Sequence, residues 1–113
     1  MTASHSEHSV DCTSRPRTAL LRGVMRLESV EAYERLFAPI TVALGAGAEP
    51  YTIDVSDVTL MNSSGIRAIA SMVLTAKRAA IKIVLVGRAG VPWQRKSVTS
   101  LRALYDGLDV RLE

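Results

Sequence analysis

Two extended apolar runs, YTIDVS at 51–56 and IKIVLVG at 81–87, flank the segment SSGIRAIASMVLTAKR at 63–78. In that middle segment Ile66, Ile69, Ala70, Val73 and Ala76 or Lys77 recur at helical spacing, while Arg67, Ser71 and Arg78 fall on the other side. Strand, helix and strand in this order join two parallel strands through a right-handed crossover. The strongly apolar character of 81–87 is that of a buried parallel strand. Few architectures accommodate such a unit, and the rest of the chain has to extend it.

The flanking segments do so. TALLRGVMRL at 18–27 reads as a strand or hairpin. Ser29 is placed to cap a helix with Glu31 in its first turn, and Val30, Tyr33, Leu36, Phe37, Ile40 and Leu44 continue at helical spacing. Pro39 is expected to kink or shorten that helix, and GAGAEP at 45–50 to stop it. WQRKSVTSLRALYDGL at 93–108 reads as a third helix and DVRLE at 109–113 as a last strand. The expected fold is one α/β domain over residues 18–113, with a mixed, mainly parallel β-sheet and α-helices packed against it. Residues 1–17 are rich in Ser, Thr and His and poor in apolar periodicity, which predicts a disordered tail.

A chain of 113 residues can bury one ordinary core. No apolar run reaches the roughly 18–20 residues that cross a bilayer, and the N-terminus lacks the apolar stretch of a secretory signal. Cytoplasmic residence without membrane contact is the expectation. Cys12 is the sole cysteine and has no zinc-type spacing around it, and His5 and His8 lie in the same polar stretch. No metal, cofactor or catalytic residue is therefore expected. Charge is uneven: residues 19–66 hold three basic and six acidic side chains, and residues 67–113 hold nine basic and three acidic. That imbalance fits solvated helix faces or a surface for an acidic protein partner. Direct nucleic-acid binding is not expected, because there is no dense basic run and few aromatics are available for stacking.

Residues 62–65, NSSG, place two small hydroxyls and a glycine where a packed element would carry bulk. Asn62 or Ser63 can serve as a helix N-cap. Serine nucleophilic catalysis is excluded by the absence of a base: there is no histidine after residue 8, the G-x-S-x-G turn is missing, and Lys77 lies about 20 Å along the helix. Phosphate-loop patterns are absent too. A serine that accepts a phosphate stays open, since a helix N-terminus tolerates the added charge. The order of elements puts Ser63 and Ser64 on the same sheet edge as Arg88, Trp93 and Arg95.

The stretch from Tyr51 to Gly87 resembles the centre of the STAS domain, the fold of bacterial anti-sigma factor antagonists. Asp54, Val55 and Ser56 match the end of that family's central strand, and Leu60 and Met61 its apolar link. Ser63, Ser64, Gly65 and Ile66 match its D-S-[SA]-G-[LI] signature, and Val86 and Gly87 the end of the next strand. One position departs: Asn62 stands where the family usually has aspartate. The resemblance implies a non-enzymatic switch protein, with Ser63 phosphorylated by an anti-sigma-type serine kinase and released by a serine phosphatase. Asn62, Ser64, Gly65, Arg67, Arg88 and Trp93 are the residues expected to meet the partner. A constitutive scaffold and a small-ligand-binding module with the same fold are the alternatives.

Overall fold

The computed structural model describes the backbone of residues 3–4 and 7–113, with side chains from residue 7 onward. Six strands form one sheet in chain order: β1 (Ala3–Ser4), β2 (His8–Asp11), β3 (Thr18–Met25), β4 (Tyr51–Met61), β5 (Ile83–Gly87) and β6 (Leu108–Leu112). β1, β2 and β3 pair antiparallel, and β3 to β6 run parallel. Helices α1 (Val30–Leu36) and α2 (Ala38–Gly45) connect β3 to β4, and α3 (Ser63–Arg78) connects β4 to β5. Each parallel step moves the same way across the sheet, so right-handed crossovers deposit every helix on one face.

Burial follows that rule. Tyr51, Ile53 and Val55 are buried beneath the helices, while Thr52, Asp54 and Ser56 between them are half-exposed. β5 repeats the alternation: Ile83 and Leu85 are buried, and Val84 and Val86 are only partly covered. The expectation of a strand buried on both faces is thereby corrected, because one layer of helices covers one face. The core between the layers joins Tyr33 and Phe37, whose rings lie 5.6 Å apart, to Ile40, Leu44, Ile69 and Val73.

The helix signals act locally. Ser29 Oγ accepts from the Ala32 N–H at 3.1 Å, capping α1. The expected single helix divides at Phe37, and Pro39 falls in the first turn of α2, where its missing N–H costs nothing. On α3 the buried residues are Gly65, Ala68, Ile69, Met72, Val73 and Ala76, so Ile66 and Ala70 sit at the margin of the stripe. Residues 92–104 wind as one helical stretch, shorter than the expected 93–108, with a π-helical turn at Gln94–Val98 and a 3-10 turn at Leu101–Leu104.

Two sequence expectations need larger correction. Residues 7–17, expected to belong to a disordered tail, are ordered: β2 pairs with β3 from His8↔Gly23 to Asp11↔Leu20, and Val10 is buried. Met1, Thr2, His5 and Ser6 lie outside the described residues. Glu7 O accepts from Val24 N at 2.6 Å, and the Glu7 carboxylate meets Arg26 at 2.6 Å. Gly23, at φ +96°, allows this approach, since a Cβ there would stand 2.0 Å from Glu7 O. The Asp11 carboxylate then accepts from the Thr13 and Ser14 N–H groups and hydroxyls, which hold its pKa well below the usual carboxylate range. A single buried apolar side chain carries too little periodicity to mark the strand, whose order comes from backbone pairing.

The strand expected at 51–56 also runs further. β4 continues to Met61, well past the end of its pairing with β5 at Asp54↔Val86, and stays on β3 through two register shifts to Met25↔Met61. The site at Asn62 is therefore carried out on the end of a bulged strand.

Candidate functional site

The residues that close β4 and open α3 are fixed by one polar network. Asn62 caps α3: its Oδ1 accepts from Gly65 N at 3.1 Å and from the Tyr33 hydroxyl at 2.7 Å. Its Nδ2 donates to Leu27 O at 2.8 Å. The Tyr33 oxygen in turn accepts from Leu27 N at 3.1 Å, which closes a ring between α1, the β3–α1 connection and the helix start. Burial raises the Tyr33 pKa, so its hydroxyl stays a donor. Gly65 is required here: a Cβ would stand 2.6 Å from Met61 Cγ and 2.9 Å from Tyr33 Cζ. The glycine of the motif thus serves close packing, and the asparagine serves capping.

Capping by Asn62 leaves Ser63 free of that task. Ser63 is exposed at the first position of α3, and Arg67, one turn on, is exposed as well. Ser64 is half-buried. The first N–H groups of a helix have no intrahelical partner, and Asn62 occupies the one on Gly65, so those of Ser63 and Ser64 stay clear of the cap. Ser63 and Arg67 are exposed with half-buried Ser64 beside them, while Asn62 and Gly65 are bonded and packed into the fold.

The Leu27 carbonyl explains an amide at position 62. An ionised carboxylate would set an oxygen against Leu27 O, where the amide donates. Asn62→Asp is expected to lower stability by about 1–2 kcal/mol at neutral pH. The lost donor returns when the acid is protonated, so the new carboxyl has a folded pKa above its unfolded one. Stability of the variant then falls as pH rises from about 4, the unfolded carboxylate value, through the folded pKa. Urea melts between acid and neutral pH would read this, and a variant as stable as the parent at neutral pH would contradict it.

Arg88 and Trp93 stand apart from Ser63. Arg88 is exposed after β5 and meets Asp57 at 3.1 Å; Arg22 reaches the same carboxylate at 3.8 Å. Trp93 is half-buried and its Nε1–H donates to Val58 O at 2.8 Å. From Val58 to Met61 is three strand steps, about 10 Å, before Asn62 and Ser63 follow. The sheet edge expected to gather all these residues is thus spread along the extension of β4, and Trp93 acts as an anchor of the fold. Arg95 donates to Ala89 O at 3.3 Å and remains in its own loop.

Beside Trp93 is a residue that sequence reasoning passed over. Gln94 is fully buried. Its Nε2 donates to Val55 O at 2.7 Å and to Val58 O at 2.9 Å, and its Oε1 accepts from Arg88 N at 2.6 Å. β5 has ended here, so the Gln94 amide replaces a neighbouring strand along the bulged part of β4. A Cβ on Gly87 would come within 2.8 Å of Gln94 Oε1. Nothing in the periodicity of WQRKSV separates this glutamine from a solvated one; the signal lies only in the overhang of β4.

Among the described residues no group of three His, Cys, Asp or Glu side chains could hold a metal ion. Among the described residues no helix is long and apolar enough to cross a membrane. Among curated proteins none matches the chain. The STAS domain profile matches residues 21–104, from within β3 to the end of the helical stretch before β6. That span covers most of the chain and contains the Asn62–Gly65 site, β4, β5, most of β3 and the helical layer. The chain belongs to the STAS domain family.

Proposed function

We propose that this protein is a cytoplasmic partner-switching regulator of the anti-sigma factor antagonist kind. Unphosphorylated, it binds an anti-sigma-type serine kinase and so frees a sigma factor for transcription. Phosphorylation of Ser63 by that kinase ends the complex, and a serine phosphatase restores it. The observation that carries this reading is the division of labour at the start of α3. Asn62 holds the helix, and the neighbouring Ser63 is exposed and takes no part in that cap.

The physics of the switch is local. A phosphoserine adds about −1.5 to −2 charges at a helix start, where the dipole favours negative charge by roughly 0.3–1 kcal/mol at an exposed position. The domain tolerates the modification, while a partner that covers Ser63 must desolvate the new charge. Ser64 and Arg67 complete the surface beside it. One turn beyond Ser64, Ala68 begins the cleft of about 380 Å³ between α2 and α3, with Phe37 and Met72 in its wall, which extends the area open to a partner.

The test is a pair of variants in calorimetric titration against the kinase. Ser63→Ala is expected to bind as the parent does, and Ser63→Asp to bind at least tenfold more weakly, with both folded. Equal affinity for the two would contradict a switch at Ser63 and favour a constitutive scaffold.

A further inference from the structure

β6 is the last strand of the sheet, and its sequence reads Leu108, Asp109, Val110, Arg111, Leu112. The polarity of that strand is the same read from either end, with charges of opposite sign flanking the centre. The backbone phase is also defined. Ile83 N donates to Gly107 O at 3.1 Å and Glu113 N donates to Gly87 O at 2.9 Å. In a parallel ladder alternate residues turn both backbone groups to the same neighbour. Asp109 and Arg111 therefore face β5 with their backbone, and Leu108, Val110 and Leu112 face the outer edge. The Val110 carbonyl is indeed reached from outside, by Arg102 Nη2 at 3.3 Å.

We propose that β6 pairs antiparallel with β6 of a second copy about a two-fold axis at Val110, forming one continuous sheet across a symmetric dimer. In that register Val110 meets Val110 of the second copy as a hydrogen-bonded pair. The N–H of Leu112 meets the carbonyl of Leu108, and the apolar side chains meet on the face that carries the helices. On the open face Asp109 lies opposite Arg111 of the second copy, and Arg111 opposite its Asp109. The ion pair that these two residues make within one chain, at 2.9 Å, is exchanged for two between chains. Shifting the register by one residue sets charge against apolar side chain throughout, so the two-fold arrangement is the one the strand specifies. Arg102 occupies one lone-pair direction of the Val110 carbonyl, and a carbonyl oxygen accepts two donors. The edge lacks proline, lysine or a bulge, three of the devices that work against such pairing. Ser63 follows β4 on the side of β3, away from β6, so a dimer leaves both copies of the phosphoacceptor open.

Sedimentation equilibrium of the full chain tests this with four proteins: the parent, Asp109→Arg, Arg111→Asp, and the double reversal. The parent is expected to dimerise reversibly. Each single reversal sets like charges opposite each other twice and is expected to weaken the dimer about tenfold. The double reversal, which restores opposite signs, is expected to return to the affinity of the parent, with circular dichroism confirming that all four fold. A parent that is monomeric at every concentration, or a double reversal as weak as the single ones, would overturn the proposal.

Discussion

Gln94→Ala is expected to lower the melting temperature by roughly 15 °C or more. The substitution removes a side chain that is fully buried and strips a partner from the Val55 carbonyl and from the Arg88 N–H, while the Val58 carbonyl keeps the bond from Trp93 Nε1. Each of these two groups left without its partner costs about 1–3 kcal/mol, for a sum of about 4 kcal/mol. For a domain of this size each kcal/mol shifts Tm by about 4–8 °C. Gln94→Glu is expected to be no better at neutral pH, since a carboxylate cannot donate to either carbonyl. Thermal melts followed by circular dichroism measure both. A fall in Tm of only a few degrees in Gln94→Ala would show that the overhang of β4 is held by β3 alone.

Deleting residues 1–11 is the other change with a large expected effect. It removes the Val10 side chain, worth about 1.5–3 kcal/mol when buried, together with the ladder along β3 and the Glu7–Arg26 contact. Ordering the segment costs conformational entropy that offsets part of this gain. A net loss of about 2–3 kcal/mol corresponds to a fall in Tm of roughly 10–20 °C. The deletion also bares the edge of β3, a template for pairing with other chains. Light scattering during the melt is expected to show aggregation that the full chain lacks. An unchanged melt without aggregation would mean that β2 adds nothing to the domain.

These two predictions lie where the sequence was least legible. The strand–helix–strand centre could be read because each element carries a full apolar stripe: Ile53 and Val55, Ile69 and Val73, Ile83 and Leu85 are all buried as their spacing implies. Such stripes fix the element type and, through handedness, the parallel sheet. β2 offers only Val10 to the core and is ordered by backbone bonds, which leave no trace in side-chain identity. The same holds for the end of β4, where register shifts and the Gln94 amide replace regular pairing.

The site divides the same way. Ser63 at an exposed helix start was legible from NSSG, because small polar residues ahead of an apolar stripe mark a cap. The role of Asn62 was legible only in part. Its cap to Gly65 follows from position, but its bonds to Tyr33 and Leu27 cross more than twenty residues of sequence and depend on the packed fold. Trp93 and Arg88 were placed near Ser63 on the assumption that β4 and β5 end together. The overhang of β4 separates them.

The central claim is that Ser63 carries the switch, and the most direct measurement is the mass of the intact protein purified from the cells that make it, followed by fragment masses that locate any addition. Two species separated by one phosphate are expected, with the phosphate on Ser63 and the heavier species absent in Ser63→Ala. A single unmodified mass under every growth condition, or a phosphate located elsewhere, would contradict it.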